Sequence, residues 1–232
     1  MPEASKKIAV LFPGQGSQFV GMGKEYLAES EAARALLHTA EEISGLPLMQ
    51  YCLEGPMSEL TRTLHLQPAV TAINMAVWDA LAESGLEVDC VAGHSLGEYT
   101  ALYASGVLGV EDTLRLVSER GRLMEREAKR HPGGMQAVVG LDYKEVAEIL
   151  DLLDNDRVVA ANYNSTRQIV LSGDQQGLDE AAAMVADKGG KAIPLEVKAR
   201  GDTSDHGPPA CLHGAVARDY RGDDEPKDLG FY

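Results

Sequence analysis

Short, unbroken apolar runs alternate with longer stretches of helical spacing through the first half of the chain. Lys7-Ile8-Ala9-Val10-Leu11-Phe12 and Val88-Asp89-Cys90-Val91-Ala92 are short and apolar, and predict buried strands. Between them the spacing predicts a polar helix over Gly23–Leu37, helical pieces through Ser58, and a helix opened by Pro68 that runs to about Ser84. Beyond the second strand, helical spacing returns over Leu96–Ser105 and Val110–Lys129. This alternation predicts a mostly parallel sheet covered by helices. From about Met135 the order changes to strand, helix, strand, strand, helix, strand, over Gln136–Gly140, Tyr143–Leu152, Val158–Asn162, Gln168–Ser172, Gln176–Lys188 and Lys191–Val197.

The pattern then stops. From Lys198 to Tyr232 the chain is rich in Gly, Pro and Asp, and its few apolar residues (Leu212, Val216, Tyr220, Leu229, Phe231) keep neither period. This stretch reads as a poorly ordered or loop-like tail.

Composition narrows the classes. A net charge of −15 and a pI near 4.8 argue against nucleic acid as a partner. No apolar run is long enough to span a bilayer and no secretory leader opens the chain, so the expected location is the cytoplasm, away from membrane. Cys52, Cys90 and Cys211 are odd in number and far apart, which excludes a disulfide framework and a zinc pattern; no metal is expected. Cys90 reads as a small core residue.

The densest chemistry lies at Gly93-His94-Ser95-Leu96-Gly97, a G-x-S-x-G elbow between a predicted strand and a predicted helix. A serine on such a turn has its hydroxyl pushed clear of the backbone, and the flanking glycines remove the side chains that would block it. Ser95 is the candidate nucleophile. The amide of Leu96, at the helix start, is placed to donate to an oxyanion. His94 leaves the turn in another direction and is a poor candidate base. Gly14-Gln15-Gly16 is a glycine-flanked turn after the first strand. It is not a dinucleotide fingerprint, because Phe19 stands where the third glycine belongs.

Pro13-Gly14-Gln15-Gly16-Ser17-Gln18, with Gly-His-Ser-Leu-Gly-Glu some eighty residues later, resembles the malonyl-CoA:acyl carrier protein transacylases, relatives of the acyltransferase domains of polyketide synthases. Leu66-Gln67-Pro68-Ala69, Glu119-Arg120-Gly121-Arg122-Leu123-Met124, Pro132-Gly133-Gly134-Met135, and Asn162-Tyr163-Asn164-Ser165 with Gln168-Ile169-Val170-Leu171-Ser172-Gly173 agree, in order, from residue 7 to about 197; Thr166 departs from the usual proline. The resemblance implies an α/β fold: a hydrolase-like large subdomain, 1–131, with a mostly parallel sheet, and an inserted ferredoxin-like small subdomain, 132–197, followed by the non-family tail, 198–232. It implies transfer of a malonyl group from malonyl-CoA to the phosphopantetheine thiol of holo acyl carrier protein, in fatty-acid biosynthesis, through an acyl-enzyme on Ser95. It gives Gln15 and Leu96 the oxyanion and Arg120 the malonyl carboxylate; by charge pattern alone Arg120 is one more solvated arginine beside Arg115, Arg122 and Arg126. Asn162 and Gln168 shape the pocket by the same resemblance, or are turn and strand residues. No bound cofactor and a monomer are expected. Since carrier proteins are acidic, docking calls for a local basic patch, and Arg115–His131, with Arg122, Arg126, Lys129 and Arg130, is the best candidate.

The family's general base is a histidine in a segment that follows a strand like Ala192–Val197. Here the match stops at Val197 and the aligned position holds Asp202; His206 and His213 lack the flanking residues that would place either. The expectation is a change of reading frame near residue 198, loss of the C-terminal part of the large subdomain, and turnover reduced by a factor on the order of 10⁴ to 10⁶ for want of the base. A serine thioesterase or hydrolase, and a non-catalytic acyltransferase fragment, are the alternative classes that share the elbow.

Overall fold

Strands β1 (Ala9–Phe12) and β2 (Cys90–Gly93) pair in parallel, with Ala9 opposite Cys90 and Phe12 opposite Gly93. The computed structural model describes residues 7–153 and 157–195, which divide into two units between Leu123 and Met124. In the first unit, α1 (Lys24–Glu29), α2 (Glu31–Ser44), α3 (Leu48–Leu53), α4 (Met57–Leu60) and α5 (Thr63–Glu83) lie between the two strands in sequence, and α6 (Gly97–Ala104) follows, then α7 (Val110–Arg130), of which the residues up to Leu123 belong to this unit. Strands and helices together make the chain α/β.

Two of these helices differ from the sequence expectation. The polar helix expected over Gly23–Leu37 is broken at Ser30, whose extended backbone ends α1 and whose hydroxyl accepts from Ala33 N at 3.1 Å to cap α2. The Arg34 guanidinium donates to Leu27 O at 2.6 Å and so satisfies a carbonyl at the end of α1. The long helix starts at Thr63 rather than at Pro68, which lies inside it. Pro68 removes one main-chain bond, but Leu66, Gln67, Ala69, Val70 and Ala72 around it are all buried, and that packing offsets the loss.

Helix α5 is the centre of the first core. Leu66 and Met75 join Leu37, Leu48, Leu60, Leu96, Leu114 and Val117, drawn from five other segments. Each such side chain contributes about 2 kcal/mol by leaving water. Phe12 and Trp78 meet edge-on at 5.9 Å and, with Val88, Val91, Ala101 and Ala104, form a second cluster. Helix α7 buries Thr113, Leu114, Val117 and Gly121, a stripe at helical spacing.

The second unit contains β3 (Gly134–Val139), α8 (Tyr143–Leu152), β4 (Val158–Ser165), β5 (Gln168–Gly173), α9 (Gln175–Asp187) and β6 (Lys191–Pro194). Its sheet has the order β4-β5-β3-β6, every neighbouring pair antiparallel. Val138, Ile149, Ile169, Leu171, Leu178 and Val185 give it a core of its own. Both helices are capped by aspartate: Asp142 and Glu145 form a reciprocal capping box on α8, and Asp174 accepts from Gly177 N on α9 while Arg157 holds its carboxylate with two bonds of 3.0 Å. The tail 198–232, with Asp202, His206, Cys211 and His213, lies outside the described residues.

Candidate active site

The sharp turn after β2 is built from backbone contacts that only glycine permits. A Cβ at Gly93 would strike the carbonyl of Gly97, and one at Gly97 would strike Phe12 O at the end of β1. Ser95 sits between them with φ of 52°, the only non-glycine residue with positive φ among the described residues. Such a backbone is strained for an L residue and is a recurrent mark of a functional position. Gly97 N donates to His94 O at 2.9 Å and Glu98 N to Ser95 O at 3.2 Å, which starts α6 directly behind the serine.

The loop after β1 lies against this turn. His94 N donates to Phe12 O at 3.2 Å, and a Cβ at Gly14 would stand 2.5 Å from His94 O and 3.4 Å from Leu96 N. Gln15 follows Gly14 directly, so its backbone is brought beside that of Leu96. Among the described residues, neither the Gln15 amide nor the Leu96 amide donates a hydrogen bond. The Leu96 side chain is buried in the first core, which anchors the start of the helix.

Arg120 reaches the turn from α7. Its Nη2 donates to Ser95 Oγ at 3.1 Å, its Nη1 donates to Gln67 Oε1 at 2.6 Å, and its guanidinium lies 5.8 Å from the centre of the Tyr99 ring. Gly121 lets this happen: a Cβ there would meet Thr63 O at 2.8 Å and the Gln67 side chain at 3.2 Å, so α7 approaches α5 closely beside the arginine. Burial pulls the guanidinium below the usual arginine pKa, while Tyr99 and Glu98 push it back up. Arginine stays charged through such shifts. Arg62, Arg115, Arg122, Arg126, Arg130 and Arg157 each pair with a carboxylate. The direct partners of Arg120 are all neutral.

Gln67 stands in the sequence only as part of the Leu66–Ala69 motif, with no role assigned to it, and Tyr99 carries no such signal. The signal for Gln67 is a polar side chain in a run that is otherwise buried and apolar; it is fully buried here. Asn162 and Gln168 belong to the second unit. Asn162 is half-buried at a bulge in β4 opposite Val170, and Gln168 is exposed at the start of β5.

Among the described histidines none bonds to Ser95. His38 is exposed and pairs with Glu41, His65 is buried against Glu59, His131 lies near Glu127, and His94 is exposed. The same residues contain no group of His, Cys, Asp and Glu that could hold a metal ion, and no helix long and apolar enough to cross a membrane.

The basic patch expected over Arg115–His131 is largely neutralised. Arg122 pairs with Glu119 at 2.5 Å, Arg126 with Glu127 at 2.7 Å and Lys129 with Glu125 at 3.1 Å, while Arg130 shares Glu127. Helix α7 carries six Lys and Arg against five Asp and Glu. A cavity of about 220 Å³ lies beside this helix, lined by Ile43, Ser44, Leu64, Arg115, Ser118, Glu119 and Arg122, and it includes none of the elbow residues.

A strained serine between a strand and a helix, two uncommitted amides beside it, and a half-buried arginine on its hydroxyl are the parts that serine acyl transfer calls for. Residues 10–199 match the family model described as acyl transferase domain, and the chain belongs to that family. It is 42% identical to the malonyl CoA-acyl carrier protein transacylase of Bacillus subtilis (strain 168), over 82% of this chain and 61% of that protein. It is 37% identical to the transacylase of the same description from Haemophilus influenzae, over 83% and 63%. The crystal structure of the malonyl CoA-acyl carrier protein transacylase from Clostridium perfringens superposes with a TM-score of 0.77 at 38% identity, over 84% of this chain and 62% of that one. A malonyl-transacylase solved in complex with its type II PKS acyl-carrier protein superposes at 0.78, with 33% identity over 84% and 64%. The chain thus spans under two thirds of the length of these relatives.

Proposed function

We propose that this chain carries the malonyl-binding and acyl-accepting half of a malonyl-CoA:acyl carrier protein transacylase. The observation that carries the reading is the contact between Ser95 Oγ and Arg120 Nη2 at 3.1 Å, on a residue whose backbone is held at positive φ. The names of its relatives and the presence of a carrier protein in one related structure support the choice of substrates.

In this reading Ser95 Oγ attacks the thioester carbonyl of malonyl-CoA and gives up its proton to a base. The carbonyl oxygen becomes an oxyanion between the amides of Gln15 and Leu96, and collapse expels the thiol of CoA. Two preorganised donors of this kind contribute several kcal/mol of transition-state stabilisation. Arg120 meets the free carboxylate of the acyl group, for which a planar, permanently charged fork is suited. The pantetheine thiol of the carrier protein then attacks the ester and releases Ser95, in ping-pong order. No described residue is assigned as the base. The antiparallel unit, with its order β4-β5-β3-β6, supports reading 132–197 as a ferredoxin-like small subdomain and 1–131 as the large one.

The test is intact-protein mass after incubation with malonyl-CoA, beside Ser95→Ala and Arg120→Ala. The expected result is a malonyl-sized increase that vanishes in Ser95→Ala and weakens in Arg120→Ala. An adduct that persists in Ser95→Ala would overturn the assignment, as would equal labelling by acetyl-CoA and malonyl-CoA. Free malonate released without any adduct would favour a hydrolase.

A further inference from the structure

We infer that Gln67 is the positioning residue of the carboxylate site: it aims the Arg120 guanidinium and, as an uncharged acceptor, leaves that guanidinium positive for the ligand. The inference rests on the carboxylate-binding reading of Arg120.

An arginine on an amphipathic helix has several rotatable bonds, and its charge is useful to a ligand only when the fork is held in one orientation. Here two points fix the plane. Nη1 is held by Gln67 Oε1 at 2.6 Å and Nη2 by Ser95 Oγ at 3.1 Å. Gln67 is fully buried, within the stretch His65–Ala72 of α5 that is buried at every position, and so is itself a rigid post. Gly121 sets the distance, because its missing side chain lets the backbone of α7 lie against the Gln67 stem. Two of the five guanidinium N–H groups are used in this way, and three remain for a carboxylate.

The chemical type of the post matters as much as its place. A carboxylate at the same position would form an ion pair, as for six of the other eight described arginines, and would cancel the charge that an anionic acyl group needs. An amide oxygen orients without neutralising. The ordinary arginine–carboxylate pairing is therefore withheld at the one place where a ligand carboxylate is to take that role.

The test compares the affinity of malonyl-CoA with that of acetyl-CoA, by calorimetric titration of the purified chain and its variants. The parent is expected to prefer malonyl-CoA and Arg120→Ala to lose the preference. Gln67→Met, which keeps the volume and removes the acceptor, is expected to reduce the malonyl preference about ten- to a hundred-fold, the range for a hydrogen bond to a charged group. Its affinity for acetyl-CoA is expected to stay within about two-fold, a selectivity that general loosening of the helix would not produce. Gln67→Glu keeps an acceptor but adds a charge, and is expected to lose the preference as well. In the Arg120→Ala background Gln67→Met is expected to cost nothing further.

If Arg120→Ala loses the preference and Gln67→Met keeps it, the positioning role is overturned and the carboxylate clamp stands. If the parent shows no preference, or Arg120→Ala keeps it, both fall. Should Gln67→Met fail to fold, Gln67→Glu decides alone: an intact malonyl preference in that variant would overturn the inference.

Discussion

Replacing Ser95 by glycine and by alanine separates the strain of the elbow from the chemistry of its hydroxyl. Both variants lose Oγ and with it the hydrogen bond from Arg120, so that loss cancels in the comparison. What differs is a Cβ on a residue held at φ of 52°. A left-handed backbone costs an L residue about 1–2 kcal/mol, and glycine escapes that cost. Glycine in turn loses about 0.5–1 kcal/mol more conformational entropy on folding. The difference leaves Ser95→Gly more stable than Ser95→Ala by roughly 0.5–1 kcal/mol. For a chain of this size that is a melting temperature about 1–4 °C higher. Circular dichroism melts of the two variants, side by side at neutral pH, are the assay. Ala35→Gly, at an exposed position inside α2, supplies the sign reference, since glycine there is expected to cost about 1 kcal/mol. An alanine variant that melts at or above the glycine variant would refute the claim that the elbow stores strain.

Three further outcomes test the surroundings of the site. Gly97→Ala drives a Cβ into main-chain atoms of Phe12 and Pro13, which cannot swing aside, and is expected to cost about 3 kcal/mol, whereas Gly109→Ala meets nothing within 4 Å and is expected to stay within about 0.5 kcal/mol of the parent in urea unfolding; equal midpoints would contradict the close approach of the two loops. Burial raises the Asp79 carboxyl above the ordinary aspartate value, the Tyr103 hydroxyl that donates to it at 2.8 Å lowers it, and Glu83 raises it. A raised folded pKa means stability that is present at low pH and lost as pH climbs through that value, so the advantage of Asp79→Asn over the parent should grow between about pH 4 and pH 7; a pH-independent difference would sink the argument. Burial and Glu41 push the Cys52 thiol up to about 12, so at pH 8 roughly one molecule in 10⁴ carries the thiolate, and iodoacetamide followed by peptide mapping should leave Cys52 unmodified until urea is added.

The parts of the site that were legible in the sequence are those whose geometry is local. Glycine at 93 and 97 around a serine, with a strand before and a helix after, prescribes a turn that leaves the serine backbone no other course. Gln67 was not legible in this way. It meets Arg120 across 53 positions of sequence, and only the packing of α7 on α5, admitted by Gly121, creates the contact. Pro68 misled because proline is a frequent helix opener, whereas here burial on all sides carries the helix across it. Ser30 was legible in principle: a serine followed three residues later by an amide in need of an acceptor is a cap, but the continuous polar pattern hid it. The basic stripe on α7 misled for a different reason. Glutamates at helical spacing accompany the cations, and pairs three or four residues apart are neighbours on a helix surface.

The same bookkeeping of charge explains what Arg120 can select. In a chain of net charge −15, an anionic ligand meets a field that repels it, and only a local, unscreened cation can reverse that. On the proposed reading Arg120 is such a cation: its guanidinium is partly withdrawn from water on folding and its direct hydrogen-bond partners are neutral, so a ligand carboxylate need not displace a hydrogen-bonded protein carboxylate to reach it. Its distance from the nucleophile sets a length as well as a sign. Arg120 Nη2 stands 3.1 Å from Ser95 Oγ, so a carboxylate held by this fork lies close to any acyl group esterified to the serine. A malonyl group, with one methylene between its carbonyl and its carboxylate, spans that gap when it folds back over the serine. An acetyl group has no carboxylate to offer, and a longer diacid must buckle its extra methylenes against the buried wall of α5. On the proposed reading, charge rejects the first and length rejects the second, and both follow from one arginine held at one distance.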